Sequence, residues 1–245
     1  MKREPLNKTR FLLLGVFILV LIIFSNSLAN FWGGYLRYIF YHFIYGIFLS
    51  IIVPMIYVFY YEKLDIATLG IKPITKKSII IAVLFICFSV GGQMTHNSLN
   101  IPSIKQLIYI SIPLIMTTFF EEFLFRGFLQ TRIEKNWGVL PAILLSGLFF
   151  SLYHLGYPSF RALESLITLF CVGLMFALAF KLSDNHLLTS FLVNLPNAIL
   201  VYLINPEKFS QFTLQTTIIC FTVIILIILV FAFFIRKQQT CNSVR

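Results

Sequence analysis

The chain has 245 residues, 59% of them from the apolar set AVILMFWYC and only 11% charged, with a net charge of +10 and a mean hydropathy of +0.91. Soluble domains sit near 45–50% apolar and about 25% charged, so this composition excludes an ordinary soluble protein and implies a polytopic membrane protein. The expected fold class is all-α with about eight transmembrane helices, because the apolar runs are continuous, unlike the alternating strands of a barrel.

Eight runs are long enough to span: roughly 10–29, 39–60, 78–95, 107–130, 138–156, 162–181, 187–204 and 212–235. Connections are short and no internal repeat or second domain is visible, so residues 1–245 read as a single integral membrane domain. Basic residues precede the first run, and Ser27-Leu28-Ala29 loosely resembles a small-x-small cleavage site. The run is longer than most signal cores, which favours its retention as a span. With the N-terminus placed in the cytoplasm, 15 of the 19 Lys and Arg fall on that side, leaving Arg37, Lys105, Arg161 and Lys208 opposite. This asymmetry is the positive-inside pattern. It puts both termini in the cytoplasm and assigns the basic charge to topology and anionic lipid, with no nucleic-acid role. The second and third runs carry His42 and Gln93, read as packing or hydrogen-bonding residues; His96 follows in a loop.

The fourth run holds the most informative residues. Of nine acidic residues in the chain, Glu121 and Glu122 stand side by side within it. An intramembrane carboxylate marks a functional site with a partner nearby. Arg126 follows Glu122 by four residues, on one helical face, and supplies one partner; Glu121 is left without one. Counted from a cytoplasmic end near Arg132, Glu121 lies ~16 Å in, close to mid-membrane. A carboxylate there suits general-base work on water; a structural ion pair locking the helix into the bundle is the alternative.

The fifth run ends in Phe150-Ser151-Leu152-Tyr153-His154. A tight loop, Lys135-Asn136-Trp137-Gly138, makes runs four and five antiparallel neighbours. His154 sits ~24 Å up, offset from Glu121 by about 8 Å, which tilt or a bend near Pro113 can close. The geometry permits a Glu121–His154 pair without requiring it. Glu164 falls at the start of the sixth run, Asp184 and His186 in the loop that follows.

The seventh run places Ser190 and Asn194 on one face, with Asn197 a turn further and Pro196 loosening the helix beside them. These amides are either glue between helices or donors to a developing oxyanion. Cys87, Cys171, Cys220 and Cys241 show no C-x-x-C spacing, and zinc-protease H-E-x-x-H is absent. The three cysteines inside runs read as small hydrophobes.

Together these stretches resemble the CAAX protease and bacteriocin-processing family of intramembrane proteases, related to the Ras-converting endopeptidase. Glu121 to Gly127, E-E-F-L-F-R-G, is close to the family's E-E-x-x-x-R followed by Gly. Phe150 and His154 match F-x-x-x-H. The seventh run stands where the family has H-x-x-x-N. The resemblance covers about residues 105–200, within a motif-bearing catalytic core of about 105–204. It implies metal-free, cofactor-free hydrolysis of peptide or membrane-protein substrates in a plasma membrane, bacterial by the small compact chain. Glu121 would activate water with His154, Glu122 and Arg126 would form the supporting ion pair, and run-seven residues would face the oxyanion. The third motif departs from the pattern: one overlay puts Asn194 at the family's histidine, a slipped one puts Ser190 there and Asn194 at the asparagine. The alternative is therefore a catalytically weak or inactive member, acting as a bacteriocin immunity protein or as a partner of a sensor kinase. A small-solute transporter is a third class, disfavoured by the lack of repeats.

Overall fold

A computed structural model describes residues 8–94, 101–204 and 213–243, with side chains through residue 234. Lys2, Arg3, His96, Lys208 and Arg245, and the side chains of Arg236, Lys237 and Cys241, lie outside the described residues.

Among the described residues, eight helices are each long and apolar enough to cross a membrane. They are α1 (Lys8–Trp32), α2 (Gly34–Glu62), α3 (Lys76–Met94), α4 (Ile104–Trp137), α5 (Val139–Gly156), α6 (Leu163–Leu182), α7 (Leu187–Ile204) and α8 (Leu214–Ser243). No strand occurs among the described residues. Large apolar side chains such as Phe17, Phe24, Ile80, Phe88 and Phe221 point outward, as suits a bundle whose solvent is hydrocarbon. Cys87 and Cys171 also face outward, and only Cys220 of the three is buried.

α4 is the central element, touching α2, α5, α6, α7 and α8. Its start is fixed by a capping box. Ser103 Oγ accepts from the Gln106 amide at 3.4 Å, and Gln106 Oε1 accepts from the Ser103 amide at 3.0 Å. Over Glu122–Gln130 the backbone adopts wide π-helical turns, and all nine side chains of that stretch are buried. Such turns are rare and tend to mark functional sites. Gly127 explains itself here: a Cβ would come within 2.7 Å of the Leu69 carbonyl oxygen, so only a hydrogen lets the short turn Ile66–Leu69 pack on α4.

The α4–α5 connection is tighter than the expected four-residue loop. Trp137 ends one helix and Val139 starts the next, with Gly138 alone between them at φ 91°. That left-handed value favours glycine. α5 packs on α6 and α1, and α3 lies against α7. α7 runs helically through Pro196, so the proline does not open a break beside the asparagines.

Ion pairs gather at one end of the bundle. Arg132 grips Glu62 Oε2 through Nη2 at 2.7 Å and Nε at 3.0 Å, and donates to the Thr68 carbonyl at 2.9 Å. Lys181 meets Glu134 at 2.5 Å and Lys77 meets Asp184 at 2.7 Å. Lys77, Arg132 and Lys181 thus share an end, as their common side in the charge count requires. Arg126 was counted with them, but it is fully buried inside the bundle and faces Glu122.

Candidate active site

Three helices converge where the two glutamates sit. Glu121 and Glu122 come from α4 at the onset of the π-helical stretch, Tyr153 and His154 from the end of α5, and Asn194 from the middle of α7. All are buried.

Glu121 has two partners, both neutral. Its Oε1 accepts from the Tyr153 hydroxyl, and its Oε2 accepts from Asn194 Nδ2 at 2.9 Å. The same Asn194 nitrogen donates to Glu122 Oε1 at 2.8 Å. The two protons of one amide thus go one to each glutamate, bridging two like charges. The reverse amide orientation would set an oxygen against two carboxylates, so charge alone dictates which end points inward.

Glu122 keeps the cation. Arg126 Nε lies 3.4 Å from Glu122 Oε2, with both side chains fully buried. The guanidinium also donates through Nη2 to the Gly173 carbonyl at 3.1 Å. It sits over the rings of Phe150 and Phe176, 4.8 and 5.6 Å from their centroids, a favourable placement for a desolvated cation. Phe150 therefore serves twice, since its backbone carbonyl lies 2.8 Å from His154 Nδ1. A carbonyl only accepts, so Nδ1 carries a proton, and in the neutral ring Nε2 is the acceptor.

His154 forms no hydrogen bond to Glu121. α5 is α-helical only through Tyr153, and His154–Gly156 form a tighter 3₁₀ turn. The residue that reaches Glu121 is thus Tyr153, one position earlier, with its ring centroid 4.0 Å from that of His154. Ser190 and Asn197 are not brought to the glutamates. Ser190 Oγ donates to the Leu187 carbonyl of its own helix at 3.0 Å. Asn197 Oδ1 accepts from Ser89 at 2.8 Å and from Gln93, which ties α7 to α3. Asn194, which both overlays of the third motif include, meets the glutamates, and Ser190 does not.

Outside this cluster, His42 stacks on Tyr38 and meets Cys220 Sγ at 3.8 Å, and His186 lies 3.2 Å from the Pro73 carbonyl. Glu164 occupies the first turn of α6. Among the described residues no group of three or more His, Cys, Asp or Glu gathers to hold a metal ion.

Residues 103–199 match a family model described as type II CAAX prenyl endopeptidase Rce1-like. Over this stretch the chain is similar to the CAAX protease family. The matched span contains every member of the cluster, from Glu121 on α4 to Asn194 on α7. With eight membrane-length helices among the described residues, the chain is a multi-pass membrane protein that carries a CAAX-protease-like stretch. Comparison with curated proteins and with solved structures gives no significant match.

Tyr153 is the cluster member that sequence reasoning missed. The available signal was a buried tyrosine, whose hydroxyl needs a partner, beside the motif histidine and on a helix antiparallel to the one carrying the unpaired glutamate.

Proposed function

We propose that the protein is an intramembrane endopeptidase of a bacterial plasma membrane that uses Glu121 as general base. The observation that carries this reading is the division of labour between adjacent carboxylates. Glu122 faces the arginine, whereas Glu121 is buried against two neutral donors and among the described residues forms no ion pair. A carboxylate oriented but not neutralised can take a proton from water. Water oxygen then bonds to the peptide carbonyl carbon, its proton passes to Glu121, and the carbonyl electron pair moves onto oxygen. Collapse of that intermediate breaks the C–N bond, and the proton goes from Glu121 to the departing amine. His154, with Nε2 as acceptor, helps hold the water. Asn194 holds both glutamates in the resting state and turns one N–H to the oxyanion in the reaction; no metal or cofactor enters the scheme.

The test compares host cells carrying wild type or Glu121→Gln at matched membrane levels, by mass spectrometry of membrane-released and secreted peptides. Peptides lost only in the variant are expected. A variant that rescues a deletion strain with an unchanged peptide profile refutes the reading.

One observation favours a second reading. Both protons of Asn194 are spent on carboxylates, at the position where the family carries histidine. A non-catalytic membrane regulator with the protease fold would show that same refuting result.

A further inference from the structure

We propose that Tyr153 is a positioning residue for Glu121, its hydroxyl setting the orientation of the carboxylate that takes the proton from water. The proposal rests on the reading of Glu121 as general base.

Glu121 Oε1 receives the Tyr153 hydroxyl and Oε2 receives Asn194. Donors from two different helices on two different oxygens fix rotation of the carboxylate about its last torsion, which is otherwise soft. Tyr153 is itself immobilised, being 1% exposed. Its ring packs 5.2 Å from Phe125, 5.7 Å from Phe150 and 5.8 Å from Tyr45, centroid to centroid. The next residue is His154, whose Nδ1 is committed to the Phe150 carbonyl. One turn at the end of α5 thus holds two things in mutual register, the near oxygen of the base and the free nitrogen of the imidazole. A phenol suits the task better than a cation. It orients the carboxylate through a hydrogen bond without adding the positive charge that would weaken it as a base. The carboxylate retains lone-pair sites for a water, having about four in all.

Tyr153 also fills space, so the experiment separates that role from positioning. Full-length wild type, Tyr153→Phe, Tyr41→Phe and Glu121→Gln are purified in detergent. Tyr41→Phe removes a hydroxyl that lies 3.1 Å from Thr117 Oγ1 and bonds no glutamate. Infrared spectra of the folded proteins first identify the carboxyl band of Glu121 as the one missing in Glu121→Gln. Tyr153→Phe is expected to shift that band and Tyr41→Phe to leave it in place. Hydrolysis is then read with internally quenched farnesylated and unprenylated CAAX peptides. Tyr153→Phe is expected to lower kcat about 10–100-fold, the loss of one hydrogen bond to a charged group, with KM within about twofold because the ring is retained. An unshifted band overturns the proposal whatever the activity. A shifted band with wild-type kcat overturns it as well, by showing that orientation does not matter to rate. A shifted band in a protein whose wild type and Glu121→Gln give the same peptide profile in host cells overturns the general-base reading and the positioning role with it, while the spectrum shows that the contact itself was correctly placed.

Discussion

Replacing Arg126 with alanine is expected to cripple the fold before it affects any chemistry. The guanidinium is fully buried, 3.4 Å from Glu122 Oε2, 3.1 Å from the Gly173 carbonyl and stacked on two phenylalanine rings. Removing one partner of a buried pair costs about 3–5 kcal/mol, because the remaining charge stays buried. The lost hydrogen bond, about 1.5–3 kcal/mol for a charged donor, overlaps with that figure and is not added to it. Hydrogen bonds inside membranes average only ~0.6 kcal/mol because the unfolded chain finds other partners, but a stranded carboxylate has few in hydrocarbon. A loss of about 3–5 kcal/mol is a large part of the roughly 5–15 kcal/mol that holds a protein folded. At about 2–4 °C per kcal/mol for a chain of this size, Tm falls by about 6–20 °C. The assay is thermal unfolding in detergent micelles beside immunoblots of membrane fractions. Arg126→Met with Glu122→Gln, which removes both charges, is expected to recover most of the loss. Arg126→Ala with wild-type Tm and abundance would refute the account of Glu122 as a charge that depends on its arginine.

Asn194→Leu removes both bridging donors, so Tm is expected to fall by more than 5 °C, whereas Asn194→His, which restores the family residue, is expected to raise peptide hydrolysis; no increase means this substitution does not limit the site. Gly127→Ala puts a methyl 2.7 Å from the Leu69 carbonyl, and the forced shift is expected to cost about 1–3 kcal/mol, read as a Tm drop of several degrees with Glu121 chemistry intact. Asp184 is fully exposed, and its hydrogen bond from Lys77 holds its carboxyl below the usual value of 3.8. A depressed carboxyl stabilises the fold above its unfolded value and loses that contribution as pH falls through the folded one. That contribution is fully present from pH 5 to pH 8, so Asp184→Asn is expected to change Tm by the same small amount at both, as befits an exposed pair.

The eight spans were legible because hydrocarbon demands long uninterrupted apolar helices, and composition alone meets that demand. The Glu122–Arg126 pairing was legible for a local reason: four residues apart on one helix, the two remain neighbours even where the turns widen to the π form. The reach of Tyr153 in place of His154 was not. It depends on where the α-helix gives way to a 3₁₀ turn at the end of α5, and a boundary error of one residue swaps which side chain faces the glutamate. Asn194, Ser190 and Asn197 looked alike as polar residues on one helix. Only the packing of α7 between α3 and α4 distinguishes the one that meets carboxylates from the one that meets Ser89 and Gln93.

The single-glycine junction at Gly138 has a bearing on how the protein is made. α4 and α5 leave the ribosome as one hairpin, with Arg126 already beside Glu122 and Tyr153 only 32 residues behind Glu121. Asn194 follows Glu121 by 73 residues, a delay of about 4–15 s at ordinary synthesis rates. Throughout that interval the nascent hairpin has Arg126 and Tyr153 available to its two carboxylates, but not yet Asn194. Biogenesis thus passes through a stage in which the insertion machinery handles the two carboxylates before the amide that bridges them exists.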